Sequence, residues 1–194
     1  MTPPDTGDSY VPGTTAKTAE QVVAATRHWL ERAVIGLRLC PFAAMPFARE
    51  QIRYCVSDQT TTEGLAEELA RELEHLHAAD PQVCETTLLV HPYVLTDFFD
   101  YNQFLDEADA VIAALQLDGE LQIASFHPDY QFAGTAPSDV QNYSNRSPYP
   151  MLHLLREASV SRAVATYPEI DAIGERNIAT LCELGHDGWL ELLR

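Results

Sequence analysis

The sequence predicts an α+β protein with a sheet of three or more strands built from a βαβαβ core and additional helices at both ends. Three observations carry this reading. Short apolar runs at 51–57, 86–91 and 121–126 are separated by longer runs whose apolar residues recur at i, i+3, i+4 and i+7, the spacing of a helix with one buried face. Gly, Pro and Asp cluster between these runs, where the chain has to turn. Two of the three strands alternate apolar and polar residues, so each buries one face. A ferredoxin-like sandwich with helices on one face is therefore preferred to an open α/β sheet, because strands covered on both faces read as continuous apolar runs and only 86–91 does.

The elements follow in order. Val22, Val23, Thr26, Trp29, Leu30, Ala33, Val34 and Leu37 outline a first helix, which has to stop near Leu39 because Pro41 forces the residue before it out of the helical region. In 51–57, Ile52, Tyr54 and Val56 share one face of a strand. A helix over 62–77 buries Leu65, Leu69, Leu73 and Leu76 and ends before Asp80-Pro81. Residues 86–91 form the second strand, stopped by Pro92. Asp97 then caps a helix marked by Phe98, Tyr101, Phe104, Leu105, Ala108, Val111, Ile112 and Leu115. Asp118-Gly119 turns the chain into the third strand, 121–126. A long loop, 127–149, shows no apolar periodicity, and its aromatic and amide content predicts an ordered loop with a purpose. Residues 150–158 read as a helix opening with Pro near N1. After a break at Tyr167-Pro168, 169–184 read as another helix closed by Gly185, with a short last turn around Trp189.

Composition bounds the function. The chain has 194 residues, 46% hydrophobic and 21% charged, which predicts a flexible leader over 1–16 and one globular domain over 17–194. Lys and Arg number 12 against 29 Asp and Glu, a formal charge of −17. Nucleic acid and anionic membrane are excluded as partners on that charge, since their binding rests on basic residues neutralising phosphates. Residues 1–15 have neither the basic nor the apolar region of a secretory signal, and no apolar run is long enough to cross a bilayer, so a cytoplasmic protein is expected. Cys40, Cys55, Cys84 and Cys182 are scattered and expected to be reduced thiols. Cys40, at the end of the first helix, reads as a buried apolar residue rather than a nucleophile, because the negative end of the helix dipole raises its pKa.

Polar chemistry concentrates after the strands. His127-Pro128-Asp129-Tyr130 leaves the third strand with an imidazole, a carboxylate and a phenol together, and Asp129 can orient the His127 ring or share a metal with it. The plain alternative is a capping turn. His91-Pro92 ends the second strand in the same way, and if the strands are parallel both histidines emerge at the C-terminal edge of the sheet, where open α/β sheets place ligands. Arg146 and Ser147 precede the predicted helix start, where free N–H groups and a guanidinium would clamp an anion; His153 lies within that helix. Two imidazoles and a carboxylate, His91, His127 and Asp129, could hold zinc or iron(II), although no HxH, HExxH or CxxC spacing reinforces a metal. Glu175-Arg176-Asn177 reads as a solvated helix face, and His28, His75 and His77 as filler.

The words LCPFA (39–43), ETTLLVHP (85–92), SFHPDYQFAGT (125–135) and NRSPYPMLHLLRE (145–157) resemble, in order, a bacterial family catalogued as a domain of unknown function, number fourteen-fifteen. The resemblance spans about residues 18–193 and implies a single-domain cytosolic protein; it brings no activity, cofactor or catalytic residue with it.

Two functions are open on the residues. The first is an enzyme acting on a small anionic molecule, with His127 as general acid/base or metal ligand, Asp129 its orienter, His91 and His153 further ligands or proton carriers, and Arg146 the substrate clamp. The second is a non-catalytic module presenting Tyr130, Phe132, Tyr143 and Tyr149 to a protein or ligand. Geometry separates them: an enzyme needs His91, His127, His153 and Arg146 converging in a pocket, and a module needs its aromatics on an exposed face.

Overall fold

The computed structural model describes residues 17–166 and 172–194. A capping box starts the first helix: the Gln21 N–H donates to the Thr18 hydroxyl at 3.3 Å, and the Thr18 N–H donates to the Gln21 carboxamide at 3.0 Å. Helix α1 (Ala19–Trp29) widens into a π-helical segment, Leu30–Ile35, and the Gly36 N–H then reaches back five residues to the Glu31 carbonyl at 3.0 Å. A short helix, α2 (Ala44–Ala48), which the sequence reading leaves out, leads into β1 (Ile52–Val56). Helix α3 (Thr62–Ala78), β2 (Thr86–Val90), α4 (Phe98–Ala114) and β3 (Leu121–Phe126) follow as predicted, with Asp97 accepting from the Phe99 and Asp100 N–H groups at the start of α4.

The predicted helix over 150–158 is the main correction. Residues Met151–Arg156 form β4, and α5 (Glu157–Thr166) begins only afterwards. In the mixed four-stranded sheet, ordered β1-β2-β4-β3, β4 lies at the centre, antiparallel to both neighbours. Its apolar residues are buried on both sides, and a short continuous apolar run cannot be told from a buried helix by periodicity. Pairing on both edges overrides the helical preference of Met and Leu. With the helix goes the anion-binding helix start predicted at Ser147-Pro148: Ser147 is buried and donates its hydroxyl to the Tyr149 carbonyl at 2.7 Å.

The predicted break at Tyr167-Pro168 lies outside the described residues. Helix α6 (Ile173–Leu192) is interrupted where the sequence placed its end: Gly185 has φ 67° and ψ −179°, a backbone favouring glycine, and the helix resumes beyond it. Near the start of α6, Asn177 donates to the Leu39 carbonyl at 2.8 Å, so this side chain ties α6 to the turn after the π-helical segment instead of facing water.

The α+β class and the βαβαβ core stand as predicted, and the crossover helices α3 and α4 do share one face. Leu65, Leu69, Leu73, Tyr101, Phe104 and Ile112 pack there on Leu89, Leu152 and Leu154. The sheet is nonetheless covered on its other face too, unlike a one-sided sandwich, because the added terminal helices α1 and α6 bury Val22, Trp29, Val34, Leu181 and Trp189 against Leu88, Val90 and Met151. Arg156 closes the end of α3, donating to the carbonyls of Leu76, Ala79 and Cys84 at 2.6, 2.8 and 3.1 Å. Among the described residues, no helix is long and apolar enough to cross a membrane.

Candidate functional site

Strands β2 and β3 run in the same direction, so His91 and His127 do leave the same edge of the sheet, on the α4 face. They flank Tyr101, with ring centroids 5.8 and 5.1 Å from its ring. Both are fully buried. The His91 Nδ1–H donates to the Val94 carbonyl at 3.0 Å, and its Nε2 has no hydrogen-bond partner. Burial pushes the His91 pKa down to about 4, since a proton on Nε2 would add a charge with nothing to receive it. His127 accepts the Asp129 N–H on Nδ1 at 3.0 Å and donates Nε2–H to the Leu95 carbonyl at 3.3 Å, and burial lowers its pKa as well. The two imidazoles thus pin the loop between β2 and α4 to the sheet. Tyr101 completes the clip: its hydroxyl donates to the Met151 carbonyl at 2.8 Å and accepts the Phe126 N–H at 3.0 Å.

The other predicted site residues do not join them. Asp129 orients His127 through its backbone N–H, while its carboxylate faces solvent. His153 sits mid-strand on the opposite face of the sheet, hydrogen-bonded through Nε2 to the Thr86 hydroxyl at 2.8 Å, and burial pushes its pKa down to about 4. That hydroxyl donates in turn to the Leu154 carbonyl at 2.6 Å, so His153 is the donor. The set His91, His127 and Asp129 does not assemble into a zinc or iron site: His127 has both ring nitrogens occupied, and no group of three or more His, Cys, Asp or Glu among the described residues is placed to hold a metal ion. Of the four aromatics expected on an exposed face, Tyr143 and Tyr149 are buried, and only Phe132 and part of Tyr130 reach solvent.

Arg146 belongs to a different feature, a groove of about 340 Å³ on the α1 and α6 side of the sheet. Helix α1 contributes Ala25, His28 and Trp29 to one wall; α6 contributes His186, Trp189, Leu190 and Leu193 to another. The loop after β3 supplies Pro128, Tyr143, Arg146, Ser147 and Pro148. Along this wall the Arg146 guanidinium lies 4.8 Å over the Tyr143 ring, which stacks on Trp189 at 5.1 Å, and the Tyr143 hydroxyl is hydrogen-bonded to Nδ1 of His186. Arg146 Nε donates to the Tyr130 carbonyl at 3.2 Å and Nη2 to the Pro137 carbonyl at 2.6 Å, so three of its five N–H groups remain without a partner among the described residues. The loop is held in shape by the amides that its composition suggested: Asn142 accepts from Phe132 N–H and the Thr135 hydroxyl and donates to Ala136, and Asn145 donates to Ser125.

Sequence reasoning missed His28, Trp29, His186 and Trp189 as groove residues. The available signal was that both tryptophans of the chain stand beside or near a histidine on terminal helices, but nothing local says that those helices meet. What the fold and groove define is an α+β protein with an aromatic, cationic cleft between its terminal helices and its longest loop. The chain belongs to the family described as Protein of unknown function (DUF1415), whose model matches residues 21–191. No curated protein and no solved structure matches it.

Proposed function

We infer that the chain binds a small organic anion, a carboxylate or phosphate attached to an apolar or aromatic body, in the groove between α1, α6 and the loop after β3. One observation carries this reading. In a chain of net charge −17, the groove residues include Arg146, His28 and His186 and, among the described residues, not a single carboxylate. Its volume of about 340 Å³ suits a small ligand, and Trp29, Tyr143 and Trp189 supply the apolar walls that such sites use. Arg146 is held in place by two loop carbonyls and the Tyr143 ring, so little side-chain entropy remains to be lost when its free N–H groups meet an anion. A catalytic use of the groove is a second reading, favoured by the Tyr143–His186 hydrogen bond, a pair able to move a proton beside a bound ligand. A cytoplasmic location is consistent with four cysteines that are all unpaired.

Both tryptophans line the groove, so intrinsic fluorescence reports on it directly. A panel of aromatic carboxylates and aryl phosphates, each with its neutral amide or alcohol counterpart, is titrated while emission and melting temperature are followed. An anion that shifts emission and raises the melting temperature, with its neutral counterpart silent, is the expected result. Arg146→Gln should weaken that binding at least tenfold, and Arg146→Lys should recover part of it. Equal affinity of wild type and Arg146→Gln, or a panel in which neutral and charged members bind alike, would remove the anion site; turnover abolished by His186→Gln with binding retained would select the catalytic reading.

A further inference from the structure

On the α4 side of the sheet edge, a line of aromatic rings that are not part of the groove lining runs from the core to solvent. Tyr101 is fully buried; Phe98 lies 6.4 Å from it, Tyr130 5.2 Å from Phe98, and Phe132 5.0 Å from Tyr130, between ring centroids. Phe132 is 37% exposed, and Phe99, in the first turn of α4, is 71% exposed. Neither of these two rings belongs to a core cluster. Carboxylates surround this end of the line. Asp97 and Asp100 start α4 and Asp129 precedes Tyr130; all three are exposed, and none pairs with a Lys or Arg among the described residues. Asp97 precedes Phe98 and Asp129 precedes Tyr130 in the chain, and the rings of Phe98 and Tyr130 lie 5.2 Å apart, which places the two carboxylates in one neighbourhood.

We propose that this edge docks a partner protein through a basic segment, with an apolar anchor of the partner against Phe99 and Phe132 and its Lys or Arg side chains against Asp97, Asp100 and Asp129. Exposed aromatic anchors ringed by polar groups are how binding energy concentrates at protein interfaces, and Arg side chains also stack on such rings. The charge complementarity is one-sided: three unpaired carboxylates repel an acidic segment and draw in a basic one. The loop that carries Tyr130 and Phe132 is already shaped by Asn142, so the partner meets a formed surface.

The probe is a twelve-residue amphipathic peptide of Lys and Leu with one Phe, run beside a counterpart with Glu for Lys and a shuffled peptide that has no apolar face. Binding is followed by fluorescence anisotropy and by amide shifts of labelled protein. The expected result is binding of the Lys peptide alone, with shifts centred on residues 97–100 and 129–132. Phe99→Ser combined with Phe132→Ser should lower affinity at least tenfold at unchanged net charge, whereas Asp100→Asn with Asp129→Asn should weaken binding and flatten its salt dependence. The groove variant His186→Gln, on α6 and in contact with Tyr143, should bind the peptide as wild type does, which keeps this test separate from the one above. Unaltered affinity of the double serine variant overturns the proposal. So do shifts spread over the acidic faces of α3 and α4, which would mark plain charge attraction.

Discussion

Asn142 is fully buried and makes three hydrogen bonds inside the loop after β3. Asn142→Ala removes the acceptor of the Phe132 N–H and of the Thr135 hydroxyl, while the Ala136 carbonyl keeps the Asp139 N–H, and should cost about 1–2 kcal/mol in urea unfolding, with faster proteolysis in the loop. His91 and His153 act on stability through their protons. Each has its pKa pushed from 6.5 to about 4 by burial, so between these values the unfolded chain binds a proton that the folded chain refuses. Their contribution is complete above pH 6.5 and is lost as pH falls toward 4. The loss amounts to about 2 kcal/mol per imidazole by pH 5. Unfolding midpoints at pH 7 and pH 5 should therefore differ less for His153→Gln, which keeps a donor for the Thr86 hydroxyl, than for wild type; identical differences would show that His153 is not held neutral.

Among the elements, the π-helical segment after α1 is the one with a single-residue dependence. Its wider turn brings Gly36 against the carbonyl of the preceding turn, and a Cβ built there would lie 2.2 Å from the Arg32 oxygen. Gly36→Ala has to displace backbone, and should lower stability by about 1–3 kcal/mol in thermal unfolding despite the better helix propensity of alanine. The segment follows directly on Trp29, so its shift also bears on the groove, and the variant should change tryptophan emission. Strand β4 shows the opposite relation between sequence and element. Its residues read as a helix locally, and they become a strand because β2 and β3 offer hydrogen bonds on both edges while two helical layers cover both faces.

Over the whole molecule, charge is unevenly divided. Residues 57–120, which hold α3 and α4, carry fifteen Asp and Glu against Arg71 alone, whereas residues 17–56 carry six Lys and Arg against three Asp and Glu. The acidic layer repels itself, and the groove opens on the other side of the sheet, where an anion meets least repulsion. Raising ionic strength from about 0.01 M to about 0.15 M shortens the screening length from about 30 to about 8 Å and should raise the melting temperature without ligand. A melting temperature that falls over this range would mean that attractive pairs such as Arg53–Glu72 outweigh the repulsion.

Much of this was written locally in the chain. The spacing of Leu65, Leu69, Leu73 and Leu76, the Asp97 cap, the alternation in β1 and the amides of the long loop each depend on neighbours a few residues away, so the sequence alone determined those helices, strands and the ordered loop, whereas the shared edge of His91 and His127 follows only from β4 pairing antiparallel with both β2 and β3. The position of β4, the separation of His153 from the other imidazoles and the presence of Trp29 and Trp189 in one groove depend on which segments pack together, tens of residues apart for β4 and His153 and from opposite ends of the described chain for the tryptophans. Only the tertiary structure decided these, because a buried apolar run, a histidine or a tryptophan has the same local signature in a core, a sheet edge or a groove wall. Its environment is supplied by distant residues, and the free energy of burial and pairing there exceeds any local preference.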